Sequence, residues 1–247
     1  MKGIVQVKKA ALPLPSDKQG GDEQLKVADV EGLCHGIETA LTELDKQQNQ
    51  FETIESDILT LVNMDNALQG EAGEAIRSFY EEYHLPFLKL LVTFLGDYKQ
   101  KLSDLKEALM RFDSGANGYL RQDFLEDEVD YGLNTARMVT IALTNETNLL
   151  IDSVSDIIHL PKLHDNQFLE AVNDAKLYRN HTMSDLHEFD FRQTSAFEPL
   201  ENDLILLKRY IDQMRQTYNK GNLSIVNRDN NSLKDEEIYQ ELLAVSQ

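Results

Sequence analysis

The sequence predicts an all-α fold, an elongated bundle of long antiparallel helices paired as coiled-coil-like hairpins. Three observations predict it. Apolar residues recur in heptads over long stretches. Helix breakers, 12 Gly and 5 Pro in 247 residues, sit mostly in a few places. No strand alternation of useful length occurs anywhere.

Residues 1–24 are interrupted by Pro13, Pro15, Gly20 and Gly21 and show no period, which reads as a disordered arm. A helical domain is expected over 25–220, with a polar, Asn- and Asp-rich tail over 221–247. From Val30 the pattern is sharp. Val30, Ile37, Leu44, Phe51 and Ile58 recur every seven residues, and Leu33, Ala40, Gln47, Ile54 and Leu61 form a second row. These are the a and d positions of a seam about four and a half repeats long, on a helix of roughly 50 Å. Gln47 is the polar position of that seam. It either fixes register or marks a point that stays wet.

The heptad fades over residues 63–70, where Asn, Asp and Gly indicate a connection between helices. A second helix is expected from near Glu71, with Glu71 and Glu74 favourable in its first turn. Pro86 should kink it or break it after His84. The stripe resumes through Leu91, Leu95, Tyr98, Leu102, Leu105, Leu109 and Phe112, and Gly115 and Gly118 stop it. A third helix is expected from about Gln122 to Ile158, ended by Leu160 and Pro161. Two shorter helices are expected at 165–179 and 183–190, the second opened by a box-like Thr182 and Asp185. A last long helix covers 196–219, and a short amphipathic one lies near 235–244.

Charge and composition remove several classes of function. Lys and Arg total 24 against 43 Asp and Glu, a formal charge of −19. Such a chain repels phosphate backbones and anionic lipid faces, which argues against nucleic-acid binding. The densest apolar stretch, residues 85–95, is too short to span a membrane and contains Lys89. The first residues carry Lys2, Lys8 and Lys9 but no apolar core of a signal peptide, so export would take another route. Cys34 is the single cysteine and excludes an internal disulfide or a Cys-rich zinc site. No basic group is expected close enough to it to form a thiolate.

Catalytic constellations are missing as well. There is no phosphate-binding Gly-rich loop, no nucleophile elbow, no zinc-protease His pair and no Cys pair. His159, His164, His181 and His187 share a region with Asp165, Asp185 and Glu188, but their spacing matches no ligand pattern. Residues 113–124 begin like a calcium loop, with Asp113, Asn117 and Gly118. Position 3 is Gly115 and position 12 is Phe124, where calcium needs oxygen ligands. A Gly-rich turn accounts for the segment. No metal, no cofactor and no enzyme activity are expected.

The connection carries Leu68, Gln69 and Gly70 between two long amphipathic helices, and the run from Leu68 to Leu88 continues through the Phe79-Tyr80 pair and Pro86. Downstream come Phe124-Leu125, Leu160-Pro161-Lys162-Leu163, Phe168, Ala175, the segment from Thr182 to Phe189, and Asp190. Over about residues 25–220 this resembles the LXG domain of polymorphic toxins exported by type VII secretion in Gram-positive bacteria. The related WXG proteins carry Trp at the corresponding place of a helical hairpin. The resemblance implies an adaptor and export module, secreted without a signal peptide. Such a module binds small helical WXG-like partner proteins, and the complex engages the secretion ATPase. It points to Leu68 and Gly70 for the turn. The seam residues Val30, Leu33, Ile37, Leu44, Phe51, Ile54, Ile58 and Leu61 are candidates for internal packing or partner contact. The resemblance also implies that a toxin domain would follow, and the residues after the last long helix are too few for one. Residues 1–24 are expected to be extra sequence without a role in the fold. Tyr119 and Asp123 match the letters of a type VII export signal, but inside the module, so the partner is expected to supply that signal. Apart from the resemblance, the heptads alone equally support a self-associating coiled-coil scaffold.

Overall fold

A computed structural model of the chain describes residues 26–112, 118–219 and 237–245. The arm at 1–24, the start of the Gly-rich loop and most of the polar tail lie outside the described residues. The chain is an all-α helical bundle with almost no sheet. Its elements are β1 (Val27–Asp29), α1 (Val30–Val62), α2 (Gly70–Phe79), a π-helical turn (Tyr80–His84) and α3 (Leu85–Phe112). There follow β2 (Tyr119–Arg121), a second π-helical stretch (Phe124–Val129), α4 (Asp130–Ser153), α5 (Asn166–Ala196), α6 (Glu198–Asn219) and α7 (Glu237–Val245). They form two compact units.

The first unit takes Gly32–Arg111 and the chain from Gln193. Here α1 and α3 run antiparallel. Lys106 pairs with Glu38 at 2.6 Å, Lys99 with Asp45, and Arg77 of α2 with Asp65. As position climbs along the first leg it falls along the second, the register of a hairpin that closes just beyond Gly70. The apolar stripes meet between these legs. Ile37, Ala40 and Leu44 are buried from α1, and Leu88, Leu95, Leu102 and Leu109, seven residues apart, are buried from α3. The amphipathic helix α6 lies antiparallel to α3. Tyr210 stacks on Phe87 with centroids 5.8 Å apart, and its hydroxyl donates to the Tyr83 carbonyl at 3.0 Å. Closer to the start of α6, the ring of Phe197 meets Tyr98 edge-on. The short helix α7 then covers α6 with Ile238, Tyr239 and Leu242, and Arg209 pairs with Glu241 at 3.0 Å.

Pro86 neither breaks nor ends the second leg. The helix widens into the π turn just before it and continues. A proline has no N–H to give, and its ring collides with the carbonyl four residues back in a regular helix; a wider turn relieves both. That turn also re-phases the stripe. Counted back in sevens from Leu88 and Leu91, the seam would fall on Glu81 and His84, yet the large apolar rings stand one position earlier, at Tyr80 and Tyr83, and Glu81 is exposed. The extra residue of a π turn absorbs that offset.

The second unit joins residues 26–31 with Phe112–Arg192. Here β1 pairs antiparallel with β2, Ala28 opposite Leu120. The ladder is extended by the Val30 N–H, which donates to the Gly118 carbonyl at 2.9 Å. Gln122 is buried beside it. Its backbone N–H donates to the Lys26 carbonyl at 3.0 Å, and its side-chain oxygen accepts from the Lys26 N–H at 3.1 Å. Antiparallel packing of α4 and α5 is marked by Asp130 with Arg179 and by Asn134 with Lys176. At the far end the Asn148 amide brackets the Leu163 backbone, donating at 3.0 Å and accepting at 2.9 Å.

Three expectations are corrected. The two helices expected over 165–190 are one continuous α5. Thr182 does not cap a new helix; its hydroxyl donates to the Tyr178 carbonyl one turn back at 3.0 Å, a mid-helix geometry. The third helix starts as a π-helical stretch capped by the Asp123 side chain and ends at Ser153 rather than Ile158. Two three-residue strands exist, too short for an alternation to register.

Candidate partner-binding surface

The turn is built from a few positions. After α1, the Leu68 N–H donates to the Met64 carbonyl at 3.0 Å, and so does that of Ala67 at 3.2 Å, coiling the connection tightly. Gly70 then takes φ +76° with open space around a would-be Cβ, so it is needed for its backbone conformation and not for room. Gly73, one turn into α2, is needed for the opposite reason. It is buried, and a Cβ there would collide with the backbone carbonyl of Leu68. Leu68 itself is half-buried. Sequence reasoning singled out Leu68 and Gly70 but missed Gly73. The available signal was a glycine inside an otherwise helical pattern.

The seam divides along its length. Val30, Ile37 and Leu44 are buried within the chain, Ile37 completely. Leu33, Phe51, Ile58 and Leu61 are half-buried, and Ile54 is 44% exposed. The part of α1 nearer the turn thus keeps apolar side chains facing water, and Leu59 and Met64 extend it.

In the second unit the uncovered surface is larger. None of the 24 residues of α4 is buried. Tyr131, Met138 and Leu149 follow one line on its surface, Leu143 and Leu150 an adjacent one, all well exposed. Monomers rarely expose contiguous apolar surface of this kind unless something binds there.

Charged groups are arranged for structure. Lys106 donates to Glu38 and holds that carboxyl below its ordinary pKa. Through its pair with Glu38, Lys106 stands about one turn of α1 from the half-buried Cys34. The hydrogen bond from Arg179 lowers the Asp130 carboxyl, and burial lowers His84. Burial, then the neighbouring Asp97, raises Asp203. Asp203 lines a shallow cleft of about 430 Å³ between α6 and α7, whose lining includes no histidine or cysteine. Among the described residues, no group of three or more His, Cys, Asp or Glu could hold a metal, and His159, His164 and His181 all face water. No described helix is long and apolar enough to cross a membrane. Tyr119 is exposed on β2, whereas Asp123 is tied to Arg121 and caps the π-helical stretch.

A family model described as the LXG domain of the WXG superfamily matches residues 26–227. Two curated relatives from Bacillus subtilis (strain 168) align with most of the chain. Toxin YxiD is 34% identical over 209 residues, covering 85% of this chain and 37% of the relative. Toxin YwqJ is 23% identical over 224 residues, covering 83% of this chain and 35% of the relative. The chain thus spans little more than a third of the length of these toxins. The glycine turn between two long helices and the uncovered apolar stripes lie inside the matched region, and the chain belongs to the LXG domain family of the WXG superfamily.

Proposed function

We propose that this chain is the export module of a type VII secretion toxin. It binds small helical WXG-like partner proteins, and the complex is recruited to the secretion ATPase and leaves the cell without a signal peptide. The module carries no catalysis; its work is helix-against-helix recognition. The observation that carries this reading is the uncovered stretch of the α1 seam, with Ile54 exposed and Phe51, Ile58 and Leu61 half-covered, in a chain whose net charge is −19. Val30, Ile37 and Leu44 serve the fold, and the positions nearer the turn serve the partner.

The test is co-expression with the small open reading frames flanking the gene, followed by size exclusion with light scattering. The expected result is a stable complex of one copy with one or two small helical proteins, weakened by Ile54→Asp. A homodimer beside unbound neighbours would overturn the reading in favour of a self-associating scaffold.

A further inference from the structure

The exposed face of α4 contains one feature that its apolar neighbours do not explain. Glu146 is exposed, and Ala142, Leu143, Leu149 and Leu150 stand three or four residues from it along the helix, which places them around it on the surface. No ion pair of Glu146 exists among the described residues. Arg137 is nine residues away, two and a half turns, and so lies on the opposite side of the helix. Every other described cation of this unit is tied elsewhere. Lys26 pairs with Asp190, Arg121 with Asp123, Lys162 with Asp152, Arg179 with Asp130 and Arg192 with Glu188, and Lys176 donates to Asn134.

An apolar stripe with a lone carboxylate at its centre sets a chemical condition on whatever covers it. Burying that charge unpaired is strongly unfavourable, so the covering surface must bring a cation to it. A second copy packed α4 against α4 does not meet the condition, because it brings the same excess of acids and the one unpaired described cation of its unit, Arg137, lies on the opposite side of the helix.

We infer that α4 is the docking face for a helix of a heterologous partner whose apolar stripe carries one Lys or Arg, placed to pair with Glu146. This rests on the reading that helical proteins bind the module, and it names the chemistry of one of them. The carboxylate sets specificity and register, and the surrounding leucines supply contact area.

The experiment measures binding of each purified flanking small protein to the full chain by calorimetry. Helical melting of each variant is monitored alongside; the substituted side chains are exposed, so folding should be retained. Glu146→Lys is expected to weaken binding by about thirty-fold or more, and changing the facing Lys or Arg of the partner to Glu to restore it. Leu149→Asp is expected to weaken it comparably. Unchanged affinity in both variants, while wild type binds, would overturn the inference and leave the export reading intact. Tighter binding by Glu146→Leu would overturn it too, because a facing cation would then be left unpaired. A chain that dimerises alone and becomes monomeric with Leu149→Asp would also refute it. If wild type binds none of these proteins, the export reading fails and the inference with it.

Discussion

Replacing Gly73 by Ala adds one methyl group where the Leu68 carbonyl already closes on the helix. The obstacle is backbone, so it cannot swing aside as a side-chain tip would. Forcing an extra methyl into a packed site costs about 1–3 kcal/mol. Exchanging Gly for Ala inside a helix returns up to about 1 kcal/mol. The expected net loss is up to about 2 kcal/mol, or a fall in Tm of up to about 8 °C for a unit of this size. Gly36 supplies the control. It lies within α1 with nothing near a would-be Cβ and no positive φ, so Gly36→Ala should gain the helix term alone. The assay is thermal melting by circular dichroism, with hydrogen exchange at the amides of Ala67 and Leu68, whose bonds to Met64 close the connection. Those amides should exchange faster in Gly73→Ala and unchanged in Gly36→Ala. A Gly73→Ala variant that melts as high as Gly36→Ala, with both amides still protected, would refute the close-approach argument.

Three further outcomes are expected. Because burial lowers the His84 pKa from its ordinary value near 6.5, its contribution to stability is intact above that value and is lost as pH falls from there toward the folded pKa. The Tm of the wild type should therefore drop more than that of His84→Gln between about pH 7 and about pH 5, and equal drops would count against it. Asp130 is lowered by Arg179, so its contribution is present above the ordinary carboxyl pKa of 3.8 and disappears as pH falls through the folded value. Melting of Arg179→Met should fall below wild type at neutral pH, with the gap closing in acid; a gap independent of pH would show packing alone. Removing the buried Gln122 amide leaves the Lys26 N–H without its side-chain acceptor, so Gln122→Ala should cost about 1–2 kcal/mol and speed exchange of that amide.

Periodicity alone makes the long legs legible in the sequence. The rows of α1, the stripe of α3 from Leu91 to Phe112 and the connection at 63–70 all follow from spacing and breaker chemistry, because side chains three and four apart share a helix face. What escaped has physical reasons. Thr182 and Asp185 resemble a cap in isolation, but a Thr hydroxyl serves equally well bonded back to a carbonyl one turn earlier. The π turns leave no trace in a period count, although Pro86 marks one of them. The β ladder joins residues far apart in the chain over three positions each. At the turn, Gly70 was legible from its place in the connection, whereas the role of Gly73 depends on how closely a carbonyl returns in three dimensions. Along the seam, Ile37 and Ile54 are the same residue type in the same kind of pattern. What separates the buried one from the exposed one is which other parts of the chain pack over it, and no local pattern contains that.

The π turn before Pro86 also sets an azimuth. Each residue of a helix turns it by about 100°, so deleting one residue from Tyr80–His84 would rotate α2 by that angle relative to α3. The seam of α3 would remain where it is, while α2 and the chain end that it closes would swing onto a different heading. The direction in which the tip of the hairpin faces is therefore encoded in one surplus residue, apart from the leucines that hold the legs together. A single insertion or deletion at that turn could re-aim the tip and leave the rest of the seam unchanged.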